Sequence, residues 1–173
     1  MTFGDSYTAA NFGEWTDPEG RTGQDSPLAY DSYNNQWKSY GWHIANRNAM
    51  TYTNKAVGGG TLTYAIYDTS ISAPDPTGTP QLANSLVKDL TTEDTFAQLS
   101  GLIADADYIT IAYGLNDLKK YDKHWNLCDV GQKTDSVIST MWGAWNTVLS
   151  TIYNLNPDVK LGIILTDGGF NAD

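Results

Sequence analysis

The sequence holds a single cysteine, Cys128, so no disulfide can form within it and the fold must rest on packing and hydrogen bonds. Basic residues are few. Ten Lys and Arg stand against twenty Asp and Glu, a net charge of −10. Such a field repels phosphate backbones and anionic lipid, which excludes nucleic acid and an anionic membrane surface as partners. No apolar run approaches the ~20 residues of a membrane-spanning helix. No basic-then-apolar leader precedes the first turn of the sequence. The chain therefore reads as cytoplasmic, or as part of a larger extracellular or phage protein. Repeats and low-complexity tracts are absent. Histidine is also scarce: His43 and His124 are the only two.

What is present belongs to a folded protein. Of 173 residues, 40% are hydrophobic and 12% aromatic. One domain of this length buries roughly 70% of its unfolded surface. Thr2-Phe3 reads as the end of a strand shorter than the usual five or six residues. Residues 11–31 form a loop rich in Gly, Pro, Asp and Thr. A helix capped by Asp31 or Ser32 is expected to run to about Arg47, with Trp37, Tyr40, Gly41, Ile44 and Ala45 on one face. A second strand is expected over 50–56 and ends in Gly58-Gly59-Gly60.

Residues 70–80 read as another loop. Helical spacing returns over 82–90 and 95–104, with Thr92 as a cap. Tyr108 to Ala112 is almost continuously apolar, as a parallel strand covered on both faces should be. A loop over 114–133 follows. A long helix is then expected over 135–153, with Val137, Met141, Ala144, Trp145, Val148 and Ile152 in the core. Lys160 to Leu165 reads as a last buried strand. Strands alternating with helices imply right-handed crossovers and a parallel sheet. Sites in such sheets lie beyond the carboxyl ends of the strands. Ser6, Gly58 to Gly60, Gly114 to Asp117 and Thr166-Asp167 each follow a strand directly, so all four point to one edge.

Gly4-Asp5-Ser6 places a serine at the end of the first strand. A serine hydroxyl is a poor nucleophile and needs a base and oxyanion donors. The glycine run offers backbone N–H groups unobstructed by side chains. The Asn116 carboxamide offers further donors. Gly4-Asp5-Ser6, Asn54-Lys55-Ala56-Val57-Gly58-Gly59 and Gly114-Leu115-Asn116-Asp117 resemble, in order and placement, the first three sequence blocks of the SGNH, or GDSL-type, serine hydrolases. One block is weak evidence; three in order are specific. The resemblance covers essentially the whole chain. It implies a flavodoxin-like three-layer α/β/α sandwich, an esterase activity and no cofactor. By motif position, Ser6 would be the nucleophile, and the N–H groups of Ser6 and Gly59 with the Asn116 amide would form the oxyanion hole. Asp5, Gly58, Asp117 and Trp125 would border the substrate. Asp5 and Asp117 are expected to shape the site by accepting backbone hydrogen bonds.

The sequence departs from that family in one respect. The family's last block, Asp-x-x-His, supplies the catalytic acid and base after a fifth strand, and no Asp-x-x-His occurs here. After the fourth strand the chain reads Thr166 to Asp173. The resemblance thus implies one SGNH-type domain over 1–173, truncated at both ends, without the last strand and helix. A base would come from a longer parent or partner chain, or from the surrogates His124 and Asp167. His43 is expected to face solvent.

A sheet missing its last strand would expose an apolar edge for self-association or for a complementing segment. The rival reading is an inactive glycan-binding or structural module of phage-tail or cell-surface type. Trp15, Tyr33 and Trp125 would suit stacking on sugar rings. The acidic stretch Asp17 to Gly20 with Asp25 lacks the ligand spacing of a calcium loop, so no metal is expected. The substrate class is a small-molecule or glycan ester.

Overall fold

Successive side chains of a strand face opposite ways, and in this sheet the two faces differ in chemistry. The computed structural model describes residues 1–5, 8, 39–57, 60–63, 85–118 and 130–164. Strand β1 (Thr2–Gly4) pairs in parallel with β2 (Tyr108–Ala112), Thr2 opposite Thr110 and Phe3 opposite Ile111. Strand β3 (Lys160–Ile163) pairs in parallel with the far side of β2, placing Leu161 opposite Ile109. One sheet face thus carries Phe3, Ile109, Ile111 and Leu161. The other carries Thr2 and Thr110.

The apolar face holds the core. It is covered by α2 (Leu86–Asp89), α3 (Glu93–Ala104) and α5 (Met141–Leu155), with α5 packed on the other two. Leu86, Val87, Leu99, Ile103, Ala144, Val148 and Ile152 join Phe3, Ile109 and Ile111 in one buried cluster. Each large aliphatic side chain so buried contributes roughly 1.5–3 kcal/mol. The hydroxyl face is covered by α1 (Tyr40–Arg47). Tyr40 Oη bonds Thr110 Oγ1 at 3.0 Å, and Tyr52 Oη bonds both Ser39 Oγ (2.6 Å) and Thr2 Oγ1 (2.8 Å). Helices on both faces of a parallel sheet give the three-layer α/β/α arrangement that the sequence implies.

The expected second strand runs beside β1 without becoming a regular strand. Thr2 N donates to Thr53 O (2.9 Å), Lys55 N to Thr2 O (2.8 Å) and Val57 N to Gly4 O (2.9 Å). Only the Thr2–Asn54 bridge is formed in regular geometry. Helix beginnings also differ from expectation. Helix α1 starts at Tyr40 because the Ser39 hydroxyl accepts from Trp42 N at 3.1 Å; the expected caps Asp31 and Ser32 lie outside the described residues. Helix α5 starts at Met141, not Asp135. Thr140 Oγ1 accepts from Gly143 N (3.1 Å), while the Asp135 carboxylate closes the preceding turn through Gln132 N (2.9 Å). Val137, assigned to the core by spacing, consequently sits in that turn and is 58% exposed.

Helix α3 begins as expected after Thr92, although the Thr92 side chain makes no cap bond. Of the stripe predicted for α1, Gly41 and Ala45 are buried but Ile44 is exposed, and His43 faces solvent as expected. Part of the predicted loop after Gly114 is a one-turn helix, α4 (Leu115–Leu118). The last strand is not buried. Among the described residues nothing pairs with the outer edge of β3, and Ile163 is 45% exposed. Residues 70–80 lie outside the described set.

Two helical glycines test this packing in opposite directions. A Cβ on Gly41 would lie 2.5 Å from Thr2 Cγ2 and 2.7 Å from Tyr52 Cε2, whereas a Cβ on Gly101 meets nothing within 4 Å. Gly41→Ala is expected to cost about 1–3 kcal/mol through overpacking. Gly101→Ala is expected to gain about 0.5–1 kcal/mol from helix propensity. Chemical denaturation of the two variants reads both signs.

Candidate functional site

Strands β1 and β2 end side by side, Gly4 opposite Ala112. From Ala112 the chain passes Tyr113 and turns at Gly114, whose φ of 127° lies where only glycine is unstrained. That turn leads directly into α4 and places Asn116 and Asp117 at the carboxyl edge of the sheet.

These two neighbours grip the same segment. Asn116 Nδ2 donates to Gly60 O at 2.9 Å. The Asp117 carboxylate, 2% exposed, accepts from Leu62 N (3.0 Å), Thr63 N (2.8 Å) and Thr63 Oγ1 (2.6 Å). Removal from water holds the Asp117 carboxyl above the ordinary aspartate range, and the donors from Thr63 and Leu62 oppose that rise.

On the near side, Val57 N holds Gly4 O at 2.9 Å and Gly60 N holds Val57 O at 2.9 Å. A Cβ on Gly4 would overlap Thr8 Oγ1, lie 2.5 Å from Thr8 Cβ and reach 3.0 Å from Ala112 O. Glycine at position 4 is therefore what allows Thr8 to fold back against the strand end. Beneath these contacts lies Tyr113, 5% exposed. Burial pushes its phenol far up. The carboxylates of Asp89, Asp5 and Asp117 add to that rise, and a hydrogen bond with the Gly4 backbone opposes it. Tyr113 is thus a neutral floor to the site.

Of the residues singled out in the sequence, Asp5, Asn116 and Asp117 are described, and all three stand at this edge. Asp5 and Asp117 are buried, and Asp117 accepts backbone hydrogen bonds as expected. Ser6, Gly58, Gly59, His124, Trp125 and Asp167 lie outside the described residues. Their neighbours in the chain are nevertheless drawn together. Gly4 and Thr8 flank Ser6, and Val57 and Gly60 flank the Gly58-Gly59 pair. Hydrogen bonds tie Gly4 to Val57, Val57 to Gly60 and Gly60 to Asn116, and Asn54 joins Thr8 to Ala56.

Thr63 and Tyr113 were not legible as site residues, and Asn54 was legible only as the first residue of the second block, with no role of its own. Thr63 carried no signal, because its partner Asp117 is 54 positions away. A cavity of about 540 Å³ lined by Met1, Tyr52 and Tyr108 lies at the opposite end of the strands and touches none of the candidates. Among the described residues no three His, Cys, Asp or Glu side chains are placed to hold a metal ion, and no helix is long and apolar enough to cross a membrane.

The clamp on Asp117 has a measurable electrostatic consequence. Thr63→Val removes a donor that stabilises the carboxylate, so the Asp117 carboxyl should titrate higher still in a carbon-detected NMR titration. The folded protein holds the Asp117 proton more tightly than the unfolded chain, whose ordinary value is 3.8. Its contribution to stability is therefore full below that value and is lost as pH rises through the folded one. Denaturation midpoints for Asp117→Asn should show a shallower decline across that window.

The sequence matches the family described as GDSL-like Lipase/Acylhydrolase over residues 1–166. No match is found among curated protein sequences. Among solved structures, the chain is similar to a Corynascus thermopiles (Myceliophthora fergusii) carbohydrate esterase family 2 enzyme with a carbohydrate binding domain. That likeness has 19% identity and a TM-score of 0.62, and covers 95% of this chain and 44% of the other. It is also similar to a Lactobacillus plantarum protein at 17% identity and TM-score 0.55, over 95% of this chain and 54% of that one. A family two carbohydrate esterase from Clostridium thermocellum, in complex with cellohexaose, follows at 14% identity and TM-score 0.53, over 95% and 42%. The chain spans about half the length of the structures it matches. At these identities the likeness is one of fold, whereas the sequence match extends over nearly the whole chain: it belongs to the GDSL-like lipase/acylhydrolase family.

Proposed function

We propose that this chain carries the nucleophile and oxyanion hole of a serine ester hydrolase acting on acylated carbohydrate or another small ester. The observation that carries the reading is the chain of bonds through Gly4, Val57, Gly60 and Asn116, with Thr8 held by Asn54. These residues bracket Ser6 and Gly59 or, in the case of Asn116, supply a donor.

In this reading Ser6 Oγ attacks the ester carbonyl and yields its proton to a base. Negative charge gathers on the former carbonyl oxygen. It accepts hydrogen bonds from the N–H groups of Ser6 and Gly59 and from an Asn116 N–H. A carboxamide has two such donors, and one is committed to Gly60. Collapse of the tetrahedral intermediate expels the alcohol, which takes the proton, and leaves an acyl-serine. Water then attacks that ester, and the acid and free Ser6 are released. No Asp-x-x-His occurs in these 173 residues, so the base is His124, Asp167 or a histidine supplied from elsewhere. Asp117 holds the donor segment, and Trp125 would stack on a sugar ring.

A carbohydrate ester is favoured because two structures of similar fold are carbohydrate esterases, one of them in complex with cellohexaose. The missing Asp-x-x-His favours the second reading, an inactive glycan-binding module on the same fold.

Turnover of p-nitrophenyl acetate separates the two. The esterase reading expects turnover that Ser6→Ala abolishes, and a fall of about 10²–10³ in kcat for Asn116→Ala. Equal rates for the unaltered chain and Ser6→Ala would overturn catalysis by Ser6 in this chain, and cellohexaose binding intact in both would favour the binding module.

A further inference from the structure

Asn54 is 1% exposed and joins three segments that the chain separates widely. Its Oδ1 accepts from Thr2 Oγ1 in β1 (3.1 Å) and from Ala56 N in its own loop (3.0 Å). Its Nδ2 donates to Thr8 O (3.4 Å), two residues beyond Ser6. The side chain thus spans from the segment that leads to Ser6, through the segment just beyond it, to the segment that leads to Gly59.

Val57 N fixes Gly4 O, which secures the chain before Ser6. Beyond Ser6, the Asn54 side chain ties Thr8 O to the second segment. The acceptor side of the same carboxamide fixes Ala56, three residues before Gly59. One planar group therefore sets two flanks at once, and rotation or loss of it would shift one relative to the other. Thr2, by contrast, bonds only the acceptor atom and lies at the start of the strand, where Tyr52 also holds it.

We propose that Asn54 is a positioning residue that sets the spacing between Ser6 and the Gly59 amide, and so the fit of the oxyanion hole to the attacked carbonyl. The proposal rests on the esterase reading for its catalytic consequence, and on the geometry of Asn54 alone for its structural one.

Two variants separate positioning from simple stability. Asn54→Asp keeps the acceptor atom and loses the donor to Thr8 O; should its buried charge unfold the chain, the neutral and shorter Asn54→Ser takes its place. Thr2→Val removes one bond to Asn54 and leaves the Thr8 contact untouched. The first readout is the amide proton–nitrogen resonances of Ser6 and Gly59, both expected to move in the Asn54 variant and to stay in Thr2→Val. The second is Ser6-dependent turnover of p-nitrophenyl acetate. The Asn54 variant should lose about 10–10² in kcat, the scale set by a misplacement of about 1 Å, with KM nearly unchanged as for an interaction made in the transition state. Thr2→Val should turn over at the rate of the unaltered chain. Resonances of Ser6 and Gly59 that stay in place, or that move equally in Thr2→Val, would overturn the proposal. If the unaltered chain shows no Ser6-dependent turnover, the esterase reading fails, and the resonances alone then decide the positioning role.

Discussion

Because β1 and β2 run parallel, with Gly4 opposite Ala112, both leave the sheet at the same edge, and every feature of the site depends on that pairing. The ladder brings residue 4 beside residue 112 and makes a constellation out of motifs scattered over more than a hundred positions. A parallel sheet must have both faces covered. Here the apolar face takes α2, α3 and α5 and the hydroxyl face takes α1. The helices on the apolar face dock by packing in one buried cluster, with Asn156 at the end of α5 also donating to the carbonyls of Ile103, Ala104 and Ala106. On the other face Tyr40 bonds Thr110 and Tyr52 bonds Ser39 and Thr2, all half-buried hydroxyl contacts, so α1 docks by directional bonds as well as by close approach at Gly41.

The site is built by placing polar groups where water is excluded and then satisfying them. Asp117 illustrates the balance. Burial alone would drive its carboxyl toward the neutral form, and the donors of Thr63 and Leu62 pull it back. The same bonds fix segment 60–63 against α4, so a carboxylate that need not touch substrate stiffens the segment that follows the glycine run. Tyr113 lies below, kept neutral by burial and by the carboxylates of Asp89, Asp5 and Asp117. Preorganised donors stabilise developing charge because they need no reorganisation when it appears.

Much of this was legible in the residues. Tyr108 to Ala112 was marked as a strand by its continuous apolar run, and the α5 positions Met141, Ala144, Val148 and Ile152 by their spacing. Gly114 was marked by its place between a strand and the loop expected to follow it. Where the reading slipped, a specific bond was responsible. Asp135 looked like a helix start and instead closes a turn, which left Val137 exposed. Ile44 had the right spacing for the core of α1, but the stripe that α1 buries is narrower. Thr63 escaped notice, and Asn54 was noticed only as part of a block, because a hydroxyl or amide has no periodicity and its importance lies in what meets it.

The sequence by itself determined the alternation of strands and helices, the parallel sheet, and the three blocks whose order identifies the family, because periodicity and short motifs are local properties of the chain. Only the tertiary structure decided that Asn116 and Asp117 hold residues 60–63, that Asn54 joins Thr2, Ala56 and Thr8, and that the last strand is exposed rather than buried. Those facts turn on the separation of groups some 50 positions apart, a distance fixed by strand register and by which buried polar atoms find partners, and neither is written in any single stretch of residues.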